Sequence, residues 1–377
     1  MKMKSIVVCF CFCCLGFWGH ALSAQEQVRV LHPLEQCTPV TDLNDRIEEV
    51  KAIPLQRHFD PRSQEWFQKK LLITPKGDFL LVYGSEVLCF DDSGKYWFSM
   101  KYDKGEECAF HQDACISVDR KRLLFAHGDS EVVFFDLEDG REVERLPMNK
   151  PLRSFEAIAP APDGGFYYYQ VPNPGTNHFK TGVPMLTRFG REGQKLESSV
   201  PQVGYTVNAF LVSQSRGNTY LIRTQGGDNA CYRVDEKGVL KKAYTVDFGD
   251  KGIPDSYGKV NEVLALSDYL RADYYKMPIY FCETAQALYF ASCGPGATLY
   301  NYLYPREGNS GVCWKGDPEM EIHFFAADDT CFYTIVEPAT QELMMNTQDP
   351  LLKRILGQIA LSSLQKPSAY LVRVKFK

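Results

Sequence analysis

The side chains singled out for metal or acid–base chemistry, at positions expected to open strands, lie far apart in the sequence. His111, Asp113, Asn208 and His323, with Glu156 and Asp273 behind them, are donors of the kinds that bind a divalent ion. Gathered at one point they would suit a metal-dependent hydrolase or lyase, the ion polarising an oxygen or activating a water. Scattered as they are, they can meet only if several distant elements bring them together. A second set is aromatic: Tyr167-Tyr168-Tyr169, Tyr274-Tyr275, and Tyr300, Tyr302 and Tyr304. A tyrosine joins an apolar face to a polar tip, which suits stacking on a sugar ring or a peptide and equally suits a core. Tyr274 and Tyr275 border the longest insertion between repeat units, residues 249–275, and are favoured for a ligand. The ligand-binding candidates are therefore His111, Asp113, Asn208, Tyr274, Tyr275 and His323. No catalytic residue and no metal-ligand set is assigned.

Other chemistries lack their motifs. No Gly-x-Ser-x-Gly elbow surrounds any serine, and neither Asp255-Ser256 nor Ser310-Gly311 makes one. No Gly-x-Gly-x-x-Gly or Walker pattern is present, so no cofactor is expected. The acidic pairs Asp91-Asp92, Glu138-Asp139 and Asp235-Glu236 lack the spacing and terminal Glu of an EF-hand loop and read as turn residues.

Composition bounds the rest. In 377 residues, 45% are hydrophobic and 13% aromatic, which is the make-up of a folded chain and not of a disordered one. The net charge is −5 with no basic tract, so a nucleic-acid partner is not expected. Residues 1–24 have the layout of a secretory signal peptide: Lys2 and Lys4, an apolar run from Ile6 to Trp18, then Ala21, Ser23 and Ala24. Cleavage near Ala24/Gln25 removes two lysines and no acids, leaving a charge of −7. None of Cys9, Cys11, Cys13 and Cys14 follows a lipobox, so a lipid anchor is not expected. No later stretch is apolar enough to span a bilayer. The expected address is the periplasm or cell exterior. Nine cysteines follow residue 24, an odd number. Cys108 and Cys115 are the first candidate pair, and most of the others read as small buried hydrophobes.

The elements are short strands of period two separated by turn signals. A turn of the form Phe90-Asp91-Asp92-Ser93-Gly94-Lys95 recurs, with glycines at 94, 140, 193 and 238 spaced by 46, 53 and 45 residues. Such a repeat of four short strands marks a blade of a β-propeller, because one blade cannot bury both faces without neighbours. Six blades are expected, at about 66–102, 112–149, 153–199, 206–248 and 276–316, the sixth starting at Ile322-His323-Phe324-Phe325 and ending at 369–376. The last is one strand short. The run Arg46–Leu55 would supply it and close the ring, leaving no sheet edge at the junction. Residues 25–44 form an N-terminal extension and 45–377 the propeller. Asp349-Pro350, followed by Leu351, Leu352, Ile355, Leu356, Ile359 and Ala360, predicts a short amphipathic helix capped by Asp349 inside the last blade.

The stretches Ile53-Pro54-Leu55, the blade turn at 90–95, Tyr244–Gly249 followed by Ile253-Pro254, and Lys366–Val372 carry a family likeness. By them the chain resembles the exported bacterial six-bladed β-propeller family, NHL-like and mostly of unassigned activity, over about residues 45–377. The resemblance implies an all-β ring and brings no catalytic residues. The expected function is an exported, non-catalytic binding or scaffold propeller for a glycan, a peptide or an envelope protein. The alternative is a metal-dependent hydrolase or lyase at the mouth of the central channel.

Overall fold

The computed structural model describes residues 28–57, 70–83, 86–101, 112–127, 131–147, 155–170, 184–201, 212–225, 228–254, 271–317, 322–336, 347–362, 367 and 369–377. Strands dominate, and they sort into six antiparallel four-stranded blades. The blades cover Lys70–Lys101, Gln112–Pro147, Phe155–Pro201, Val212–Val246 and Lys276–Lys315. The sixth combines Ala326–Ala327, Phe332–Val336 and Tyr370–Phe376 with the N-terminal strand Ile47–Pro54. That strand pairs Tyr370 with Pro54, Val372 with Ala52 and Val374 with Val50, and so closes the ring as the sequence predicts. The molecule is a six-bladed β-propeller. The sixth inner strand is shorter than expected: His323, Phe324 and Phe325 precede it.

The recurring acidic turns do local work. Asp91 accepts the main-chain N–H groups of Ser93 (2.9 Å) and Lys95 (3.0 Å), and Asp235 does the same for Lys237 and Val239. Gly94 holds φ +82°, and a Cβ there would lie 2.4 Å from the Pro54 carbonyl oxygen, so this turn also seats the closing strand. Beyond the turn, the outer strands of blades 1 to 4 each carry a bulge that skips Trp97, Val143, Leu196 and Ala243 in turn. A bulge twists an outer strand and makes its edge a poor template for another chain.

The segment read as an N-terminal extension is built into the ring. Arg29–Leu31 adds in parallel to the outer strand of blade 4, and Cys37–Pro39 in parallel to that of blade 5. The Arg29 guanidinium donates to the carbonyl oxygens of Arg306 (2.8 Å) and Pro305 (3.3 Å) in the blade 5 turn and lies over the Tyr304 ring. Leu31 between them is fully buried. One strap thus covers two blade edges before its continuation completes the third.

Between blades the packing is aromatic. Tyr244, Phe281, Phe290 and Tyr302 form a run of stacked rings at centroid distances of 4.9–5.7 Å across the seam of blades 4 and 5. Six of the eight described cysteines after residue 24 are buried, as small hydrophobes should be. Cys115 is among them, a free thiol in an apolar cluster, whereas its expected partner Cys108 lies outside the described residues.

The axis departs from the expected open channel. The inner strand of blade 4 pairs in parallel with that of blade 6, Gln214 beside Ala326 and Ser215 beside Ala327. The Arg216 N–H donates to the Ala327 carbonyl at 3.0 Å, and the Arg216 guanidinium meets Asp329 at 2.6 Å. Ser215, Ala326 and Ala327 are almost completely buried. Side chains this small let two inner strands approach to hydrogen-bonding distance, so the ring is closed where the inner strands end.

Candidate functional site

The inner strands begin at the opposite end of the ring, the entry rim. Lys70 opens the inner strand of blade 1, and Asp113 is the second residue of that of blade 2. The Lys70 Nζ lies 2.9 Å from Oδ1 and 3.0 Å from Oδ2 of Asp113, and the Ile158 N–H of blade 3 donates to Oδ2 at 2.8 Å. Each residue is only 7% exposed. Burial pushes the Asp113 carboxyl above the usual carboxylate range, while the Lys70 charge and the amide N–H groups pull it back. One carboxylate thereby joins three consecutive blades, and both its oxygens are engaged within the protein.

A second tie lies at the far end. Glu283 finishes the inner strand of blade 5 and is fully buried. It accepts a 2.6 Å hydrogen bond from the Tyr244 hydroxyl and pairs with Arg306 at 2.8 Å, and its own N–H donates to Ser215 Oγ. Burial opposes its charge, but hydrogen bonds from Tyr220, Tyr244 and Arg306 outweigh it and hold the carboxyl below the usual range. Lys276, also buried, donates to the Ala272 carbonyl at 2.7 Å, and burial lowers its pKa.

The remaining candidates divide. His323 is 2% exposed and stacks on Tyr280 with centroids 4.1 Å apart and planes 18° apart. Tyr280 sits at φ +57° where the strand register shifts, which turns its ring into the seam between blades 5 and 6. Asp273 is exposed. His111 and Asn208 lie outside the described residues, as does the side chain of Glu156. Among the described residues no three of His, Cys, Asp and Glu are grouped as metal ligands.

Tyr274 and Tyr275 are half-buried at the entry rim and face opposite sides of blade 5, Tyr274 toward the cluster shared with blade 6 and Tyr275 toward that shared with blade 4. Tyr275 stacks on Phe248 (5.4 Å, 24°) and tilts against Tyr300 (5.3 Å, 53°). Burial and the hydrogen bond with Tyr300 push its phenol up to about 12, so it keeps its proton at neutral pH. The Tyr244–Gly249 and Ile253-Pro254 stretch builds this ledge: Phe248 supplies a ring, the Ile253 N–H donates to the Tyr275 carbonyl, and the Tyr275 N–H donates to that of Lys251. Gly294 lets the rings close in, since a Cβ there would lie 2.5 Å from the Tyr300 ring. Most other tyrosines are core: Tyr167, Tyr168, Tyr302 and Tyr304 are buried between blades.

Lys70, Glu283 and Arg306 were not among the sequence candidates. For Lys70 and Glu283 the signal is a charged residue at the end of an apolar inner-strand run, as in Lys70-Leu71-Leu72-Ile73 and Ile279-Tyr280-Phe281-Cys282-Glu283, whereas Arg306 follows the third strand of blade 5 and carries no such signal.

No family model matches the chain, and no curated protein matches it in sequence. Among solved structures it is similar to a streptogramin B lyase, at 9% identity and TM-score 0.41 over 87% of this chain and 98% of that one. It is also similar to a protein of unknown function from Bacteroides caccae, at 11% identity and TM-score 0.36 over 65% and 85%. The Cps50 (Swd1) β-propeller domain of Myceliophteria thermophila is 10% identical, with TM-score 0.42 over 72% and 94%.

Proposed function

We propose that this chain is an exported, non-catalytic binding propeller that takes a glycan or an extended peptide on its entry rim, against Tyr275 and Tyr300. The observation that carries the reading is the half-buried pair Tyr275 and Tyr300, backed by the buried ring of Phe248. Rings pre-set by stacking and by the Tyr275–Tyr300 hydrogen bond lose little freedom when a flat ligand face arrives. The inner-strand charges favour the same reading, because Asp113 and Glu283 are already bound to Lys70 and Arg306. Export rests on the residue pattern of 1–24.

Residues 25–377 should be titrated with a panel of cell-envelope oligosaccharides and synthetic peptides, beside Tyr275→Ala and Tyr300→Ala. The reading expects a binder whose affinity falls about tenfold, or 1.4 kcal/mol, with either variant. A binder indifferent to both variants, or a turnover abolished by one inner-strand substitution, overturns it.

A further inference from the structure

The helix Pro350–Ser362, inserted between two strands of blade 6, is a wedge. Leu351, Leu352, Ile355 and Ile359 are buried in the cluster that holds Tyr289 and Trp314 of blade 5, and the helix also packs on the closing strand of blade 6. Its cap, Asp349, is 1% exposed. Asp349 Oδ1 accepts the N–H groups of Leu351 (2.8 Å) and Leu352 (3.1 Å), and its own N–H donates to Thr347 Oγ1.

Among the described residues no cation pairs with this carboxyl. From blade 5 come Asp317, just past the outer strand, whose main-chain N–H donates to the carboxyl while its side-chain carboxylate opposes the charge, and the Tyr289 phenol. On the helix itself Lys353 is exposed and reaches Gln348 instead. A cap bonded to main-chain N–H groups is normally content as a carboxylate, but one sealed in an apolar seam beside a second carboxylate is raised by burial and repulsion that these bonds only partly offset.

We propose that the helix is a proton-operated latch, held more firmly between blades 5 and 6 when Asp349 is protonated than when it is ionised. The neutral acid keeps a carbonyl oxygen for the two helix N–H groups and sheds the repulsion from Asp317. Burial, helped by Asp317 and opposed by the main-chain N–H groups, pushes the Asp349 carboxyl up to about 6. The docked helix therefore binds the proton better than an undocked one, whose cap has a pKa near about 3.9. Docking gains strength as pH falls from 7 toward 4 and loses it as pH rises through 6.

Hydrogen exchange tests this on the intact chain. Protection of amides 351–359, corrected for intrinsic exchange and referred to those of Phe79–Tyr83, should be about tenfold greater at pH 5.0 than at pH 7.5. In Asp349→Asn the helix should be equally protected at both pH values, and in Asp317→Asn the ratio should shrink. A wild-type ratio near one, or an undiminished tenfold ratio in Asp349→Asn, overturns the proposal. If Asp349→Asn fails to fold, an unchanged ratio in Asp317→Asn overturns it.

Discussion

Lys70 grips both carboxylate oxygens of Asp113 across the boundary of blades 1 and 2, at 2.9 and 3.0 Å and largely buried from solvent. The pair is a brace for the ring. Lys70→Met leaves a buried carboxylate without its cation and should cost about 3–5 kcal/mol. Replacing both, as Lys70→Met with Asp113→Leu, removes the unpaired charge and should recover most of that loss, short of the bond from Ile158. Denaturant unfolding of the two variants checks this, and equal losses in both would contradict it.

Glu283 gives the ring an acid limb. Its carboxyl is held below the ordinary value of about 4.3, so its stabilisation is full above that value and is lost as pH falls below it. Glu283→Gln should flatten the decline of the unfolding midpoint between pH 5 and pH 3. Arg306→Gln removes its cation and should cost roughly 3 kcal/mol at neutral pH. An acid limb of unchanged slope in Glu283→Gln would show that other carboxylates set it.

Two turn glycines of blade 1 differ in what surrounds them. Gly77 (φ +89°) faces open space, whereas a Cβ at Gly94 (φ +82°) meets Pro54 at 2.4 Å. Gly77→Ala should cost only backbone strain, about 1 kcal/mol, and Gly94→Ala should cost clearly more because the closing strand must move. Thermal midpoints of the two variants decide the point.

The closed axis depends on small residues. Ala326→Leu places a branched side chain where two inner strands meet and should destabilise by about 1–3 kcal/mol through overpacking. A neutral effect in thermal unfolding would mean that the inner strands have room to part.

Much of the ring was legible in the sequence, because period-two strands and turn glycines at 94, 140, 193 and 238 report one unit repeated, and Arg46–Leu55 supplied the missing strand. The strap was not, since Arg29–Leu31 and Cys37–Pro39 are three-residue strands too short to show alternation. Nor was the closed axis, which rests on a parallel contact between Ser215 and Ala327, far apart in sequence and with no periodic signature. At the candidate site Asp113 was legible as an inward polar group, but its partner Lys70, heading an apolar strand, reads as a solvent-facing end. His323 is a typical ligand in type and core in place, because the shifted register of blade 5 sets Tyr280 against it. The ledge was half legible: Tyr274 and Tyr275 stood out, but Phe248 joins them only through the fold.

The separation of brace from binding surface is tested most directly by carrying the folded Lys70→Met/Asp113→Leu double variant through the oligosaccharide and peptide panel beside the wild type. The expected result is the same ligands with affinities within about threefold, a difference of roughly 0.6 kcal/mol. A folded double variant that has lost binding, or lost a turnover the wild type possesses, would place the working site on the inner strands and contradict the account.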